Sequence, residues 1–544
     1  FRASSGDQAD PVKARQRTAK ELLDEGAARI EGALADAPAA KLRVLHTLAE
    51  MYMLMQDSEA LIPLRRQAVS LAAQQFPGPS AERVLALSLL STALGAGARV
   101  EEAGRVLAQA QSLADANPDL DGGLRVRVGM ATLQWHMRRD DTSVLPAAAR
   151  LLAFLRQRPA DYDRVGALLM TGRLERVAGR PAPAAELVRE AIATAARIEG
   201  GAASGLATLH GELATALRDL GDLVGAEKEY RSAVAHALAN NGRHGFNTIN
   251  WTANLAFFLA HAGRPREALA VLAEAGWPPP SSSAQAHLRW LMVNMVALHR
   301  RGLDDQAFAL EQSKLPGLCA RVSDPLDEAL LDGERARLRM ALGRPQEATA
   351  LLRHAIARAA SGDVKGSTMD SWMLELVGAL AAGGESQAAA LAWGEFVTRP
   401  ATHSLKPVRH AIEARLRLSQ GDHAGAESLA LASLQELETG AELPDTVYAR
   451  IELLQTAAAS RRLMGRPATA EALLQRALDI DQPLSDPQLS IRRLGLLTAL
   501  LQVQLEAGTA TTALAPLRRM LDEHKGSRLP AVDAARRALK RAAP

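Results

Sequence analysis

A chain of 544 residues with 48% hydrophobic and 23% charged side chains can bury a core, which excludes a disordered polypeptide. Lys+Arg 64 against Asp+Glu 61 leaves a formal charge of only +3, so the balance gives no electrostatic footprint for nucleic acid or a membrane surface. The single cysteine, Cys319, excludes an intramolecular disulfide framework, and 3% aromatics in an Ala- and Leu-rich chain favour helices. The chain opens at Phe1-Arg2 without methionine and shows no signal peptide, which implies excision from something longer. Residues 1–11, with Ser4-Ser5-Gly6-Asp7, have almost no apolar periodicity and are expected to form a short extended tether. From Val12 the pattern turns helical. Ala19, Leu22, Leu23, Ala27 and Ile30 share one apolar stripe, which predicts a capping helix over 12–37 docked on the first helix pair.

Residues 38–527 are organised by a repeat. Turn glycines recur at Gly179, Gly221, Gly263, Gly302, Gly343, Gly383, Gly421, Gly465 and Gly508; counting back reaches Gly97 and glycine-less counterparts near Arg139 and Gln56. The mean step is about 41 residues. Five residues after each of the nine consecutive glycines stands an alanine, from Ala184, Ala226 and Ala268 through Ala307, Ala348 and Ala388 to Ala426, Ala470 and Ala513. Glycine in the left-handed conformation ends one helix, and the alanine marks where the next crosses it closely. Four turns read Gly-Arg-Pro, with proline in the first turn of the new helix, while Asp222 and Asp422 offer N-caps. No window alternates with the period of a strand. The expected fold is all-α: a right-handed superhelical solenoid of about twelve helix pairs, closed by a capping helix over 528–544.

The best unit, with Leu213-Ala214, Leu217, Gly221, Ala226, Tyr230 and Ala233, resembles the tetratricopeptide repeat, although the period exceeds that family's by about two helical turns. A local resemblance lies at the start. Asp10-Pro11, Ala14-Arg15 and the run Thr18 to Ile30, followed by Leu48-Ala49-Glu50-Met51-Tyr52, are similar to the segment after the membrane span in bacterial transmembrane serine/threonine protein kinases with C-terminal helical repeats. Ala49 stands where that family usually has glycine, and Met55-Gln56 replaces its usual Leu-Gly. The resemblance implies an extracytoplasmic, periplasmic sensor region that meets the membrane only through a span outside this chain. The other reading is a cytoplasmic interaction scaffold, or the sensor region of a transcription regulator.

No catalytic motif is present: no kinase loops, Walker loop, nucleophile elbow or zinc helix. Neither a cofactor nor a metal is expected. Single histidines such as His210 and His354 read as solvated helix positions, and Glu101-Glu102 and Arg461-Arg462 as solvated faces. Cys319, beside Leu318, reads as core. Asn250-Trp251-Thr252 matches the glycosylation pattern by letter only, inside a helix. The stretch from Gly245 to Gly263 is long enough for a bilayer, but Asn247, Asn250, Asn254 and His261 argue against a span. Binding remains. In the uncharged helix before Gly263, Asn250 and Asn254 share a face, and an amide both donates and accepts. In peptide-binding tetratricopeptide proteins the asparagine before the Leu-Ala pair contacts ligand backbone, and the resemblance implies that role for Asn254. With Trp251 beside them, and Arg289, Trp290 and Asn294 on the next first helix, these form the expected site for a peptide, protein or small-molecule ligand in the concave groove. The two tryptophans also fit a core. A homodimer is compatible with such an array.

Overall fold

The computed structural model describes residues 23–24, 37–54, 58–97, 99–139, 141–199, 205–280, 282–319, 325–361, 367–399, 406–439 and 445–542. The expected tether over 1–11 and most of the capping helix over 12–37 lie outside them, as does the turn at Gln56. Among the described residues there is no strand, and helices pair antiparallel from Pro38–Leu54 with Ser58–Gln75 to Ile491–Ala507 with Leu514–Glu523. A last helix, Pro530–Ala542, buries Val532, Ala535 and Ala538. No helix among the described residues is long and apolar enough to cross a membrane.

The turn chemistry follows the repeat. Gly179, Gly221, Gly263, Gly302, Gly343, Gly421, Gly465 and Gly508 all have φ between 68° and 84°, the left-handed region that L side chains avoid. The four Gly-Arg-Pro turns start the second helix at Pro181, Pro265, Pro345 and Pro467. Asp222 and Asp422 accept from the amides of Gly225 and Gly425 at 2.8 and 2.9 Å, so each caps a helix with its own side chain. Two expected turns differ. The left-handed glycine of the ninth pair is Gly384, not Gly383, and the buried alanine is accordingly Ala389 at 0% exposure while Ala388 is only half-buried. The spacing of five is kept, with the register one residue later than expected. Gly97 has φ −85° and caps its helix without a left-handed bend.

The chain divides into two compact units, Phe1–Leu174 and Glu175–Pro544. In the first, Leu42, Leu45, Ala49 and Tyr52 pack on Leu61, Ile62 and Ala68, and Leu23 lies against this core. The Tyr52 hydroxyl donates to Asp24 at 2.5 Å. Arg65 is 1% exposed and donates to His46 Nδ1 at 2.8 Å. Burial, then the charges of Arg65 and Arg127, push the His46 imidazole down to about 4, so it stays neutral and can accept.

The second unit winds back onto itself. The amide of Asp445 donates to the carbonyl of His261 at 3.0 Å, and the Tyr448 hydroxyl to the carbonyl of Ala260 at 3.0 Å. One repeat on, the amides of Asp486 and Ile491 donate to the carbonyls of Arg301 and Gly302 at 3.1 and 2.9 Å. Arg492 reaches the Arg300 carbonyl at 3.0 Å. One repeat further, Gly343 lies so close to Pro530 that a Cβ would sit 3.1 Å from its ring. Helix C-termini carry unpaired carbonyls and a partial negative charge, and N-termini the reverse, so the bonds from the amides of Asp445 and Ile491 satisfy both ends at once. The partners are separated by 184 to 192 residues, about four and a half repeats. A solenoid in which each repeat touches only its neighbours would have no such bonds.

Candidate functional site

The left-handed glycines supply a ruler for the first helices. In the second unit a cavity of 500 Å³ is lined by residues at four recurring places on that ruler. Thirteen residues before the glycine stand Ser371, Glu452 and Gly495; nine before, Glu375 and Ile412; six before, Arg337, Gly378 and Arg415; two before, His261 and Arg300. These spacings fall on one helix face, which is the inner wall of the solenoid.

Asn250, Asn254 and Arg289 occupy the same places, thirteen and nine before Gly263 and thirteen before Gly302. They are brought together across adjacent repeats: Arg289 donates to the Asn254 side-chain oxygen, which leaves the amide nitrogen to donate elsewhere. Asn250 is half-buried, with no side-chain hydrogen bond to another described residue. Arg289 is exposed as a residue, but desolvation at its guanidinium lowers that group, and Asp327 and Tyr230 oppose the shift. Asn294 stands eight before Gly302, off the stripe, and donates to the Trp290 carbonyl of its own helix at 2.8 Å.

The two tryptophans require a correction. Trp251 is 6% exposed and Trp290 3%, so neither ring can reach a ligand in the groove. Both stand twelve before their glycine, as does the buried Trp372. Ten before the glycine of the preceding repeat stands a small residue in each case: Gly211, Ala253 and Gly333. A Cβ on Gly211 would lie 2.2 Å from the Trp251 ring, and one on Gly333 would lie 2.3 Å from Trp372. This recurrence of Trp against a small residue is present in the sequence and marks the tryptophans as core.

Of the histidines and charged pairs read as solvated, His354 and Glu101 are exposed, whereas His210, Glu102, Arg461 and Arg462 are half-buried, and all have partners. His210 meets Glu229 at 2.6 Å and stacks on His236, and His354 meets Asp332 at 2.5 Å. Glu101 and Glu102 pair with Arg139 and Arg66, and Arg461 and Arg462 with Glu427 and Glu506. The histidine bonds join the two helices of one pair, and the Glu–Arg pairs join neighbouring repeats. Among the described residues no group of three or more His, Cys, Asp or Glu could hold a metal ion. Cys319 ends a one-turn helix, Pro316–Cys319.

At the rim of the cavity Asp445 holds the two revolutions together. Its carboxylate meets His261 Nδ1 at 2.8 Å and Arg300 at 2.6 Å, and its φ of 65° is the only left-handed non-glycine among the described residues. Burial alone would raise this carboxyl, but Arg300 and His261 outweigh it and hold it far below the carboxylate range. Burial lowers His261 in spite of Asp445, so the ring is neutral, and its Nδ1–H donates a hydrogen bond to the carboxylate. Along the wall, Arg337 donates to Glu375 Oε1 at 2.6 Å, Arg415 pairs with Glu452 at 2.5 Å, and Arg492 pairs with Asp481 at 2.6 Å.

No family model matches the chain, and no curated protein does. Among solved structures it overlaps a Rap protein complexed with competence and sporulation factor at 12% identity, over 74% of this chain and 99% of that one, with a TM-score of 0.44. NprR in complex with its cognate peptide NprX overlaps at 15% identity, over 65% and 98%, with a TM-score of 0.39. The human IFIT1 dimer with m7Gppp-AAAA overlaps at 16% identity, over 85% and 90%, with a TM-score of 0.39. Overlaps this loose carry no residue of a site from one chain to another. By its own helix pairs and turns the chain is an all-α solenoid of tetratricopeptide-like repeats.

Proposed function

We propose that this chain is a non-catalytic binding region that takes a peptide or protein along the inner wall of its second unit. The observation that supports this best is the cluster of Asn250, Asn254 and Arg289, which places amide and guanidinium groups from two repeats on one concave face. An Asn amide can pair with a peptide group in both directions, and Arg is a frequent anchor in interfaces. Panning a displayed random-peptide library should enrich a motif on the wild-type chain and none on the double variant Asn254→Ala, Arg289→Ala, with little change in melting temperature. Enrichment of the same motif by the variant, or a large loss of stability, returns these residues to a structural role.

The wider setting rests on the resemblance of residues 10–52 to the membrane-proximal segment of bacterial transmembrane serine/threonine kinases. On this reading the chain is the periplasmic sensor region, and binding alters the spacing of two membrane spans. Asn254 and His261 share the helix Phe246–His261, so a ligand held at the first is two turns from the contact between revolutions. In the full-length protein, a long flexible insert after Asp10 should leave binding intact and uncouple it from phosphorylation. Unchanged ligand-dependent phosphorylation in that variant would favour simple recruitment.

A further inference from the structure

Asn250, Asn254 and Arg289 do not line the cavity, although its lining continues the same stripe of first-helix positions. Two of its wall positions are glycines inside helices, Gly378 in Ser367–Ala382 and Gly495 in Ile491–Ala507. Glycine there weakens a helix relative to alanine. Gly211 and Gly333 return that cost by admitting a tryptophan, but at Gly495 a Cβ would meet nothing within 4 Å, and at Gly378 only Ile412 and Arg415 at ordinary distances from 3.7 Å. No neighbour needs either glycine. Their effect is to keep the cavity wide, and 500 Å³ lies within the range of small-molecule sites.

The unpaired atoms indicate the chemistry. Glu375 Oε1 accepts from Arg337 and from the Ser371 hydroxyl, whereas Oε2 is buried with no hydrogen-bond partner. His261 Nε2 is likewise buried and unpartnered, and it is an acceptor because the ring's proton is on Nδ1. Arg300, whose Nε is also unpartnered, lies with its guanidinium 4.3 Å over the Tyr448 ring and is already matched by Asp445. Arg337, Arg415 and Arg492 each face a carboxylate. Glu375 Oε2 and His261 Nε2 each lack a donor, and a buried acceptor without one is costly. Burial pushes the Glu375 carboxyl up against the charge of Arg337, so an incoming cation is what would hold it ionised.

We propose that this cavity binds a small molecule with a primary amine on an apolar body, the ammonium donating to Glu375 Oε2 and the body packing on Ile412 and Ile451 beside Gly495. The site uses none of the proposed peptide contacts Asn250, Asn254 and Arg289. The test is titration calorimetry of the whole chain near neutral pH with cyclohexylmethylamine and, as the ring of opposite charge, cyclohexylacetate. The amine should bind at least about tenfold more tightly than the acid, and Glu375→Gln should weaken it by about tenfold or more. Gly495→Leu should fill the space and abolish binding without lowering the melting temperature, because leucine is the better helix former. That arm decides even if Glu375→Gln unfolds. Absence of amine binding at millimolar concentration, equal binding of the acid, or amine binding that survives Gly495→Leu would each overturn the proposal. Asn254→Ala with Arg289→Ala should leave amine binding unchanged, so the two sites stand or fall separately.

Discussion

Replacing Asp445 by asparagine isolates the charge that joins the two revolutions. Asparagine tolerates the left-handed backbone as readily as aspartate and keeps the amide bonded to the His261 carbonyl. What is lost is the anion 2.6 Å from Arg300 and 2.8 Å from His261. Breaking a fully buried pair costs roughly 3–5 kcal/mol, and a fully exposed one at most about 1 kcal/mol. The Arg300 and Asp445 side chains are 15% and 24% exposed, so water screens part of the loss, and about 2–3 kcal/mol is the expected cost. Urea denaturation of both proteins reads that difference, and amide exchange at Ile491 reads whether the next contact loosens with it. The pH dependence has a definite sign. The folded carboxyl titrates below its unfolded value, so its contribution is complete above about pH 4 and is lost as pH falls through the folded value. The gap between wild type and variant should therefore stay constant through neutrality and close in acid below about pH 4. Equal stabilities at neutral pH, or a gap that remains in strong acid, would refute this account of the contact.

Gly302 and Gly179 form a matched pair with φ of 78° and 75°; a Cβ on Gly179 meets nothing, while one on Gly302 would lie 2.0 Å from Ser490 Oγ. Alanine at Gly179 should cost about 1–2 kcal/mol of backbone strain, and at Gly302 a further 1–3 kcal/mol or so of overlap; equal urea midpoints would mean that Gly302 and Ser490 do not touch. In the first unit the His46 imidazole is lowered in the fold, so the unfolded chain takes up the proton first and stability should fall as pH drops from about 6.5 to 4. Hydrogen exchange over helix Pro38–Leu54 should show that loss, and His46→Gln should flatten it; an unaltered profile in the variant would assign the titration elsewhere.

The helix pairs are legible in the sequence because glycine, proline and alanine act locally: Gly221 and Ala226 need only their own turn and crossing to declare themselves. Gly383 passes for Gly384 because two adjacent glycines satisfy the same spacing, and only the buried Ala389 separates them. Of the proposed site, Asn254 and Arg289 meet because helical periodicity puts them at matching heights on adjacent first helices. Trp251 and Trp290 do not, because their places depend on small residues one repeat earlier. The contacts of Ala260 to Gly302 with Asp445 to Arg492 have no local signature at all. They arise from superhelical pitch, which many small crossing angles set together. Even Asp445, with its left-handed backbone, looks like an ordinary residue after a proline.

The winding of the second unit also has a consequence for synthesis. The carbonyls of Ala260, His261, Arg301 and Gly302 leave the ribosome well ahead of the donors that will cap them, by 184 to 192 residues for contacts of this kind. At roughly 5–20 residues per second, the earlier coil waits on the order of 10–40 s with those groups in water. Its helix pairs can form as they emerge, since their partners are adjacent, but closure requires nearly the whole chain. A nascent chain halted before Asp445 would therefore hold folded repeats and an unfinished coil, and its stability would rise in steps as Asp445, Ile491 and Pro530 arrive rather than by equal increments per repeat.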